Sequence, residues 1–396
     1  MMILLRVQSF YHPKKLVFGL NAINRIGQEA NLIGGKKVLV VTDKFLEKMG
    51  VIDKVSGFLK DAGFDINVFN ECEAEPRIEV HEKAKEVARS VKPDIVIGIG
   101  GGSNMDVAKT AAILANNVGD AIQYVGPPFG LFEKDRLPLI LVPTTAGTGS
   151  EVTRFAVATV ANEKRDMWFD PKLLCDTAII DPMLTLTMPP KLTAATAIDA
   201  LSHAIESILS RQANMIILLH ALEAIKLISR YVRRAYLNGE DVEARYNLSM
   251  AATFAGIALC NAGAVLGHAV AFTFGAQHKI PHGVSVGIVL PYIMEYNLPL
   301  AQERLAEIAK AMGEETEKIP IRDAAKKAII ATKNLIESLE MPTCLKDVGI
   351  PKNEIDGMIN RLLTKYKYVY ETSNPCSVTE EKIRQMYEKI WGGFSD

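Results

Sequence analysis

Short, continuous apolar runs alternate with helical periodicity over the first half of the chain. K-K-V-L-V-V-T-D (36–43), D-I-N-V-F-N (65–70), D-I-V-I-G-I-G (94–100) and L-P-L-I-L-V-P (137–143) read as strands. Between them F-L-E-K-M-G-V-I-D-K-V-S-G-F-L-K-D-A-G, V-H-E-K-A-K-E-V-A-R-S-V and D-V-A-K-T-A-A-I-L-A read as helices. Apolar strands alternating with helices predict a parallel sheet covered on both faces, because each crossover lays a helix over it. Near Asp181-Pro182 the pattern changes. From Pro189-Pro190 onward helix signals follow one another: K-L-T-A-A-T-A-I-D-A-L-S-H-A-I-E-S-I-L, H-A-L-E-A-I-K-L-I-S-R-Y-V-R-R-A, M-A-A-T-F-A-G-I-A-L, R-L-A-E-I-A-K-A-M-G and D-A-A-K-K-A-I-I-A-T-K-N-L-I-E-S-L. They predict a helical bundle. The expected plan is an α/β domain with a parallel sheet over 1–185 and an all-α domain over 186–396, packed together with a cleft between them.

The length of 396 residues supports the division, since one core rarely keeps growing past about 300 residues. A formal net charge of −1 argues against nucleic acid or an acidic membrane as the main partner. The five cysteines are scattered without a C-x-x-C pair, which predicts reduced thiols and a cytoplasmic protein. The start, M-M-I-L-L-R-V-Q-S-F, lacks a charged segment followed by a long apolar core. No apolar run approaches the roughly 20 residues that span a bilayer.

Candidate chemistry changes this picture more than composition does. Asp199 and His203 in A-I-D-A-L-S-H-A have D-x-x-x-H spacing, so on a helix both side chains leave one face a turn apart. His268 in L-G-H-A-V and His282 in I-P-H-G can close a site from a second segment. One carboxylate and three imidazoles suit a borderline divalent ion: iron, zinc, nickel or cobalt. A plain surface pair at i,i+4 is the competing reading of Asp199 and His203, and a simple helix start that of His282. Thr196, Asp199, His203 and Glu206 form one polar stripe on an otherwise apolar helix, which favours the metal.

The strand 94–100 runs into Gly100-Gly101-Gly102-Ser103-Asn104-Met105-Asp106 and then a helix. Such a turn lets a diphosphate approach free N–H groups at a helix start. It departs from G-x-G-x-x-G, and alone it is as readily a tight turn. Asp43, at the end of the first strand read here, can accept hydrogen bonds from an adenosine ribose and repel a 2′-phosphate, or simply cap the next helix. P-T-T-A-G-T-G-S-E-V-T (143–153) places Thr144, Thr145 and Thr148 beside glycines after a later strand. Together these favour a dinucleotide, NAD before NADP.

G-G-G-S-N-M-D-V-A-K, P-T-T-A-G-T-G-S-E-V-T, D-A-L-S-H-A-I-E and the paired G-H-A and P-H-G resemble the iron-containing (group III) alcohol dehydrogenases, over nearly the whole chain. The resemblance implies a Rossmann-like N-terminal domain and an all-helical C-terminal domain, an architecture like that of dehydroquinate synthase. It implies an NAD(P)-dependent homodimer or higher homo-oligomer acting on a small alcohol or aldehyde. It assigns Asp199, His203, His268 and His282 to iron. It assigns Asp43, the Gly101-Gly102-Ser103 turn and the Thr144–Thr148 loop to the nucleotide, with Asp106 bracing the turn. Four positions depart from the family pattern. Phe272 stands where a second histidine commonly relays protons, which leaves His278, the cofactor ribose with water, or solvent as the route. Arg165 replaces a lysine that often contacts the cofactor, Glu75 an asparagine, and Cys376 an arginine. A dehydroquinate-synthase-like lyase is the rival enzyme, but the helices carrying the ligands lack the Lys/Arg cluster an anionic substrate needs. A non-catalytic family derivative has Phe272 in its favour and four retained ligands against it.

Overall fold

The computed structural model describes residues 7–161 and 164–393. They form two compact units, one of Tyr11–Thr187 and one from Met188 onward that also takes in the N-terminal residues. In the first unit the strands are β1 (Lys15–Phe18), β2 (Lys37–Val41), β3 (Asp65–Phe69), β4 (Ile95–Gly100), β5 (Leu139–Pro143), β6 (Phe155–Val160), β7 (Lys164–Phe169) and β8 (Thr177–Ile180). The helices are α1 (Ile26–Ile33), α2 (Lys44–Lys48), α3 (Val51–Asp61), α4 (Ile78–Val91) and α5 (Gly102–Leu114).

Six strands pair in the order β1-β8-β5-β4-β2-β3, parallel throughout. Because side chains alternate across a strand, each apolar run feeds two cores. Val38, Val40, Ile95, Ile97, Ile140 and Val142 meet Ile52, Val55 and Leu59 of α3 on one face. Leu39, Val41, Val96, Leu139 and Leu141 meet Ala84 of α4 and Val107 and Ala111 of α5 on the other. Each fully buried Val, Leu or Ile contributes roughly 1.5–3 kcal/mol, so the sheet is fixed from both sides. From β2 the chain goes outward to β3 and then returns to place β4 on the other side of β2. That reversal is the switch point at which open α/β sheets leave a crevice beyond their strand ends.

Three details differ from the sequence-based expectation. The helix expected from Phe45 to Gly63 is two, broken at Met49-Gly50, with Gly50 at φ 74. The antiparallel ribbon of β6 and β7 and the short strands β1 and β8 were not anticipated, being too short or too mixed for periodicity to register. With β1 in place, Asp43 follows the second strand of the unit.

The second unit consists of α6 (Pro190–Leu209), α7 (Met215–Leu237), α8 (Val242–Ala262), α9 (Leu266–Phe272), α10 (His282–Ala311), α11 (Ile321–Ser338), α12 (Ile355–Lys365), α13 (Lys367–Tyr370) and α14 (Glu380–Gly392). Helix α6 packs against α7, α8 and α10, and from Thr193 to Leu209 only Thr196 is not fully buried. Arginines hold both of its ends. Arg304 Nη1 donates to the carbonyls of Ile208, Leu209 and Ser210 at 2.9, 3.0 and 2.7 Å, satisfying acceptors that the helix end leaves open. Arg245 donates to Met188 O at 3.0 Å and Thr193 Oγ1 at 2.8 Å at the opposite end. Helix α10 is long and apolar enough to cross a bilayer, which the reading of apolar runs did not anticipate. Yet 67% of that stretch is buried within the fold, as in a core helix.

Candidate active site

Asp199 and His203 leave α6 on one face, as their spacing requires. His268 projects from α9 and His282 is the first residue of α10. One ligand atom from each of the four lies within 4.8 Å of every other. Asp199 Oδ1 is 3.5 Å from Nε2 of both His203 and His282. The imidazoles of His203 and His268 are stacked with centroids 4.9 Å apart. Asp199 Oδ1 is buried and accepts no hydrogen bond among the described residues. A desolvated carboxylate oxygen without a donor is costly in a folded protein, and a cation offsets that cost. The four residues therefore fit a divalent metal, with the donor set that borderline ions take.

The surrounding residues aim these side chains. Glu206, one turn beyond His203, places Oε1 2.5 Å from His268 Nδ1 and accepts the Val265 N–H on Oε2 at 2.9 Å. A carboxylate partner makes Nδ1 the protonated ring nitrogen and leaves Nε2 its lone pair for an ion. The glycines beside two ligands are there for space. A Cβ on Gly267 would lie 2.6 Å from Glu206 Oε1, and one on Gly283 2.1 Å from the Ala195 carbonyl oxygen of α6. Any side chain at either place would push a histidine away from the helix carrying Asp199. This is the physical content of G-H and H-G in the sequence.

Phe272 is buried beside the cluster. Its ring is 6.3 Å from that of His268, 5.7 Å from His282 and 5.6 Å from Tyr366, itself buried. No ionisable side chain thus occupies that position. His278 lies in the turn before α10, part-buried, with Nε2 2.9 Å from Glu354 Oε2. Phe254 packs edge-on against His220.

The nucleotide candidates assemble at the carboxyl end of the parallel sheet. Asp43 follows β2, Gly100 ends β4 and Gly101–Ser103 follow it, and Thr144, Thr145 and Thr148 follow β5, with β4 between β2 and β5. Gly100 has φ 145, a conformation that favours glycine, and its carbonyl accepts the Thr144 N–H at 2.9 Å. Gly101 is the N-cap of α5 and Gly102 its first residue, with no room for a Cβ against Thr148. Asp43 does cap a helix, Oδ1 accepting from Leu46 N at 2.9 Å, while its Oδ2 accepts from Asn104 Nδ2 at 2.6 Å.

Asp106 braces the loop after β5. Its oxygens accept from Ser150 Oγ at 2.6 Å and Val157 N at 3.0 Å, and Lys109 Nζ lies 3.7 Å away. Burial raises the Asp106 carboxyl above its ordinary value against the pull of Lys109, the Ser150 and Val157 donors, and Arg165. Lys109 is fully buried and donates to Ser150 Oγ, Thr153 Oγ1 and Phe155 O. Arg165 reaches Glu75, Nη1 to Oε1 at 3.3 Å, and the Glu75 N–H donates to Ser103 Oγ at 3.2 Å. Two departures that looked separate in the sequence are one ion pair beside the glycine turn. Sequence reasoning left Lys109, Glu206 and Asn104 without a role. For Glu206 the signal was its place on the stripe with Asp199 and His203; for Lys109 it was a lone charge in an apolar helix.

The helical unit thus carries a four-donor cluster that fits a divalent metal, and the α/β unit carries a glycine turn at the switch point of its parallel sheet. Residues 13–182 match the family model "Iron-containing alcohol dehydrogenase", and residues 193–391 match "Fe-containing alcohol dehydrogenase family, C-terminal". The chain is 37% identical over 376 residues to long-chain-alcohol dehydrogenase 1 of Geobacillus thermodenitrificans, covering 95% of this chain and 94% of that one. It is 37% identical over 391 residues to 1,3-propanediol dehydrogenase of Citrobacter freundii, covering 98% and 99%. Among solved structures, the alcohol dehydrogenase from Oenococcus oeni superposes with a TM-score of 0.93 at 36% identity, over 97% of this chain and 100% of that one. The chain belongs to the iron-containing alcohol dehydrogenase family and is an alcohol dehydrogenase. The lyase and the non-catalytic derivative are set aside accordingly.

Proposed function

We propose that the chain oxidises small or moderately apolar alcohols with NAD, and reduces the matching aldehydes or ketones, with iron held by Asp199, His203, His268 and His282. The convergence of those four donors within 4.8 Å carries the reading. A bound divalent ion supplies Lewis acidity toward the alcohol oxygen, and the dinucleotide supplies the hydride acceptor. The chain's own part is to orient the ligand nitrogens through Glu206 and to wall the space beside them with Phe272 and Tyr366. Gly101, Gly102 and Ser103, next after Gly100 at the end of β4, present backbone N–H groups at the start of α5, beside Thr144, Thr145 and Thr148. Arg165, braced by Glu75, adds positive charge. Asp43 favours NAD by accepting from ribose hydroxyls and repelling a 2′-phosphate.

The apolar ring of Phe272 supports a preference for simple alcohols over triols, and His278, oriented by Glu354, is the candidate proton carrier. Five free, buried cysteines fit a cytoplasmic setting. Among the described residues the edge strand β1 pairs with β8 alone and leaves Leu16 half-exposed, which supports a homodimer or larger homo-oligomer, to be read by light scattering.

The test is NADH formation by iron-loaded protein across alcohols, diols and glycerol, with zinc, nickel and cobalt as alternative ions. His268→Ala should lose metal and turnover together while remaining folded; retention of one equivalent of metal with normal turnover would refute the ligand assignment. Phe272→His should raise use of hydroxylated substrates a few-fold. Unchanged kinetics in Phe272→His, together with better turnover of glycerol than of butanol by the wild type, would overturn the substrate class. His278→Ala should reduce turnover, and unchanged turnover would assign proton release to solvent.

A further inference from the structure

We infer that Asn104 is a positioning residue for nucleotide choice: it ties Asp43 to the glycine turn and thereby keeps the carboxylate where it discriminates between the two dinucleotides. The inference rests on the proposed NAD preference. Asn104 is the third residue of α5 and is buried. Its amide nitrogen donates twice, to Asp43 Oδ2 at 2.6 Å and to the Ile99 carbonyl at 3.0 Å, which uses both of its hydrogens. The Ile99 bond fixes the amide on its own strand end, and the Asp43 bond carries that fixity across the switch point from β4 to β2.

Asp43 is consequently held at both oxygens. Oδ1 caps α2 through Leu46 N, and Oδ2 is gripped by Asn104. Two bonds from different segments define the plane of the carboxylate, where a single capping bond leaves it free to rotate. The space for this arrangement is made by Gly100, because a Cβ there would lie 2.0 Å from Asn104 Nδ2. A neutral amide leaves the full negative charge on Asp43, whereas a lysine or arginine in its place would neutralise it and weaken repulsion of a 2′-phosphate. Asn104 is the right donor for an acid whose charge has work to do elsewhere.

The experiment is fluorescence titration of the full-length protein with NADH and with NADPH, which reads binding without turnover. Variants are Asn104→Ala, Asn104→Ser, Asp43→Ala and the Asp43/Asn104 double-alanine protein, each checked by thermal melting. Loss of one charge-assisted hydrogen bond should lower the NADPH:NADH Kd ratio roughly five- to tenfold in Asn104→Ala, with a smaller drop in Asn104→Ser, whose hydroxyl can still donate. In the Asp43→Ala background the same substitution should leave the ratio unchanged, because there is no carboxylate left to position. If Asp43→Ala collapses the ratio but neither Asn104 variant shifts it, the positioning role fails while the NAD reading stands. If the wild type binds NADPH more tightly, or Asp43→Ala leaves the ratio unchanged, the NAD reading fails and this inference with it. Should Asn104→Ala not fold, Asn104→Ser alone decides.

Discussion

Asp106 and Asp199 are both withdrawn from water on helices of the two units, yet they are equipped in opposite ways. Asp106 accepts a hydroxyl and a backbone N–H and has Lys109 close by, so protein groups meet both of its oxygens. Asp199 presents Oδ1 to two histidine nitrogens at 3.5 Å and accepts no hydrogen bond there among the described residues. Both aspartates lose water on folding, Asp199 more completely than Asp106, and they offset that loss by different means. An acid whose donors are all protein groups holds a loop in place; an acid whose oxygen is left open is built to receive a cation. The same contrast runs through the histidines. His81 is buried in the α/β unit with Nδ1 2.7 Å from Thr110 Oγ1 and its ring packed on Trp168, and among the described residues no other candidate ligand gathers around it.

The largest effects should come from exchanging these roles for alanine. Asp199→Ala should cost at least a thousandfold in turnover, about 4 kcal/mol of transition-state stabilisation. In metal-free protein it should leave the melting temperature unchanged or slightly raised, since an oxygen without a donor is removed. Asp106→Ala should do the reverse in kind, destabilising the fold by about 3 kcal/mol because the Ser150 hydroxyl and the Val157 N–H lose their acceptor. Chemical denaturation and metal analysis of both variants decide this; equal loss of stability in the two would erase the distinction.

Next is the acid response of His81, whose pKa burial pulls down from 6.5 to about 3. Above pH 6.5 both folded and unfolded states are neutral there. Below it the unfolded chain takes up a proton that the folded state refuses until about pH 3, so stability falls on acidification. The slope is up to about 1.4 kcal/mol per pH unit. His81→Phe should flatten the stability–pH curve between pH 6 and 4 by that order, and identical slopes for the two proteins would contradict the burial argument. The smallest effect expected is that of Glu206→Gln, which keeps the shape but loses the charge holding His268. Metal affinity, measured by competition with a chelator, should weaken about 10- to 100-fold. Undiminished affinity would show that Glu206 serves packing alone.

Much of the molecule was legible because its signals are local. Helical periodicity puts Asp199 and His203 on one face whatever surrounds them. Apolar strands between amphipathic helices imply a parallel sheet, since only that arrangement covers both faces. The glycine run announced a tight strand–helix turn for the same reason, while the break at Met49-Gly50 and the ribbon of β6 and β7 were hidden because short elements carry little periodic signal.

Tertiary structure decided what depends on residues distant in sequence. It brought His268 and His282 to α6, made Glu206 the partner of a histidine 62 residues away, and joined Glu75 to Arg165 across 90. It also settled that Asp43 is a helix cap and is tethered to Asn104 at the same time. Spacing along a chain reports which side chains share a face of one element. Which faces then meet is fixed by close packing between elements, at points such as Gly267 and Gly283 where even one methyl group has no room.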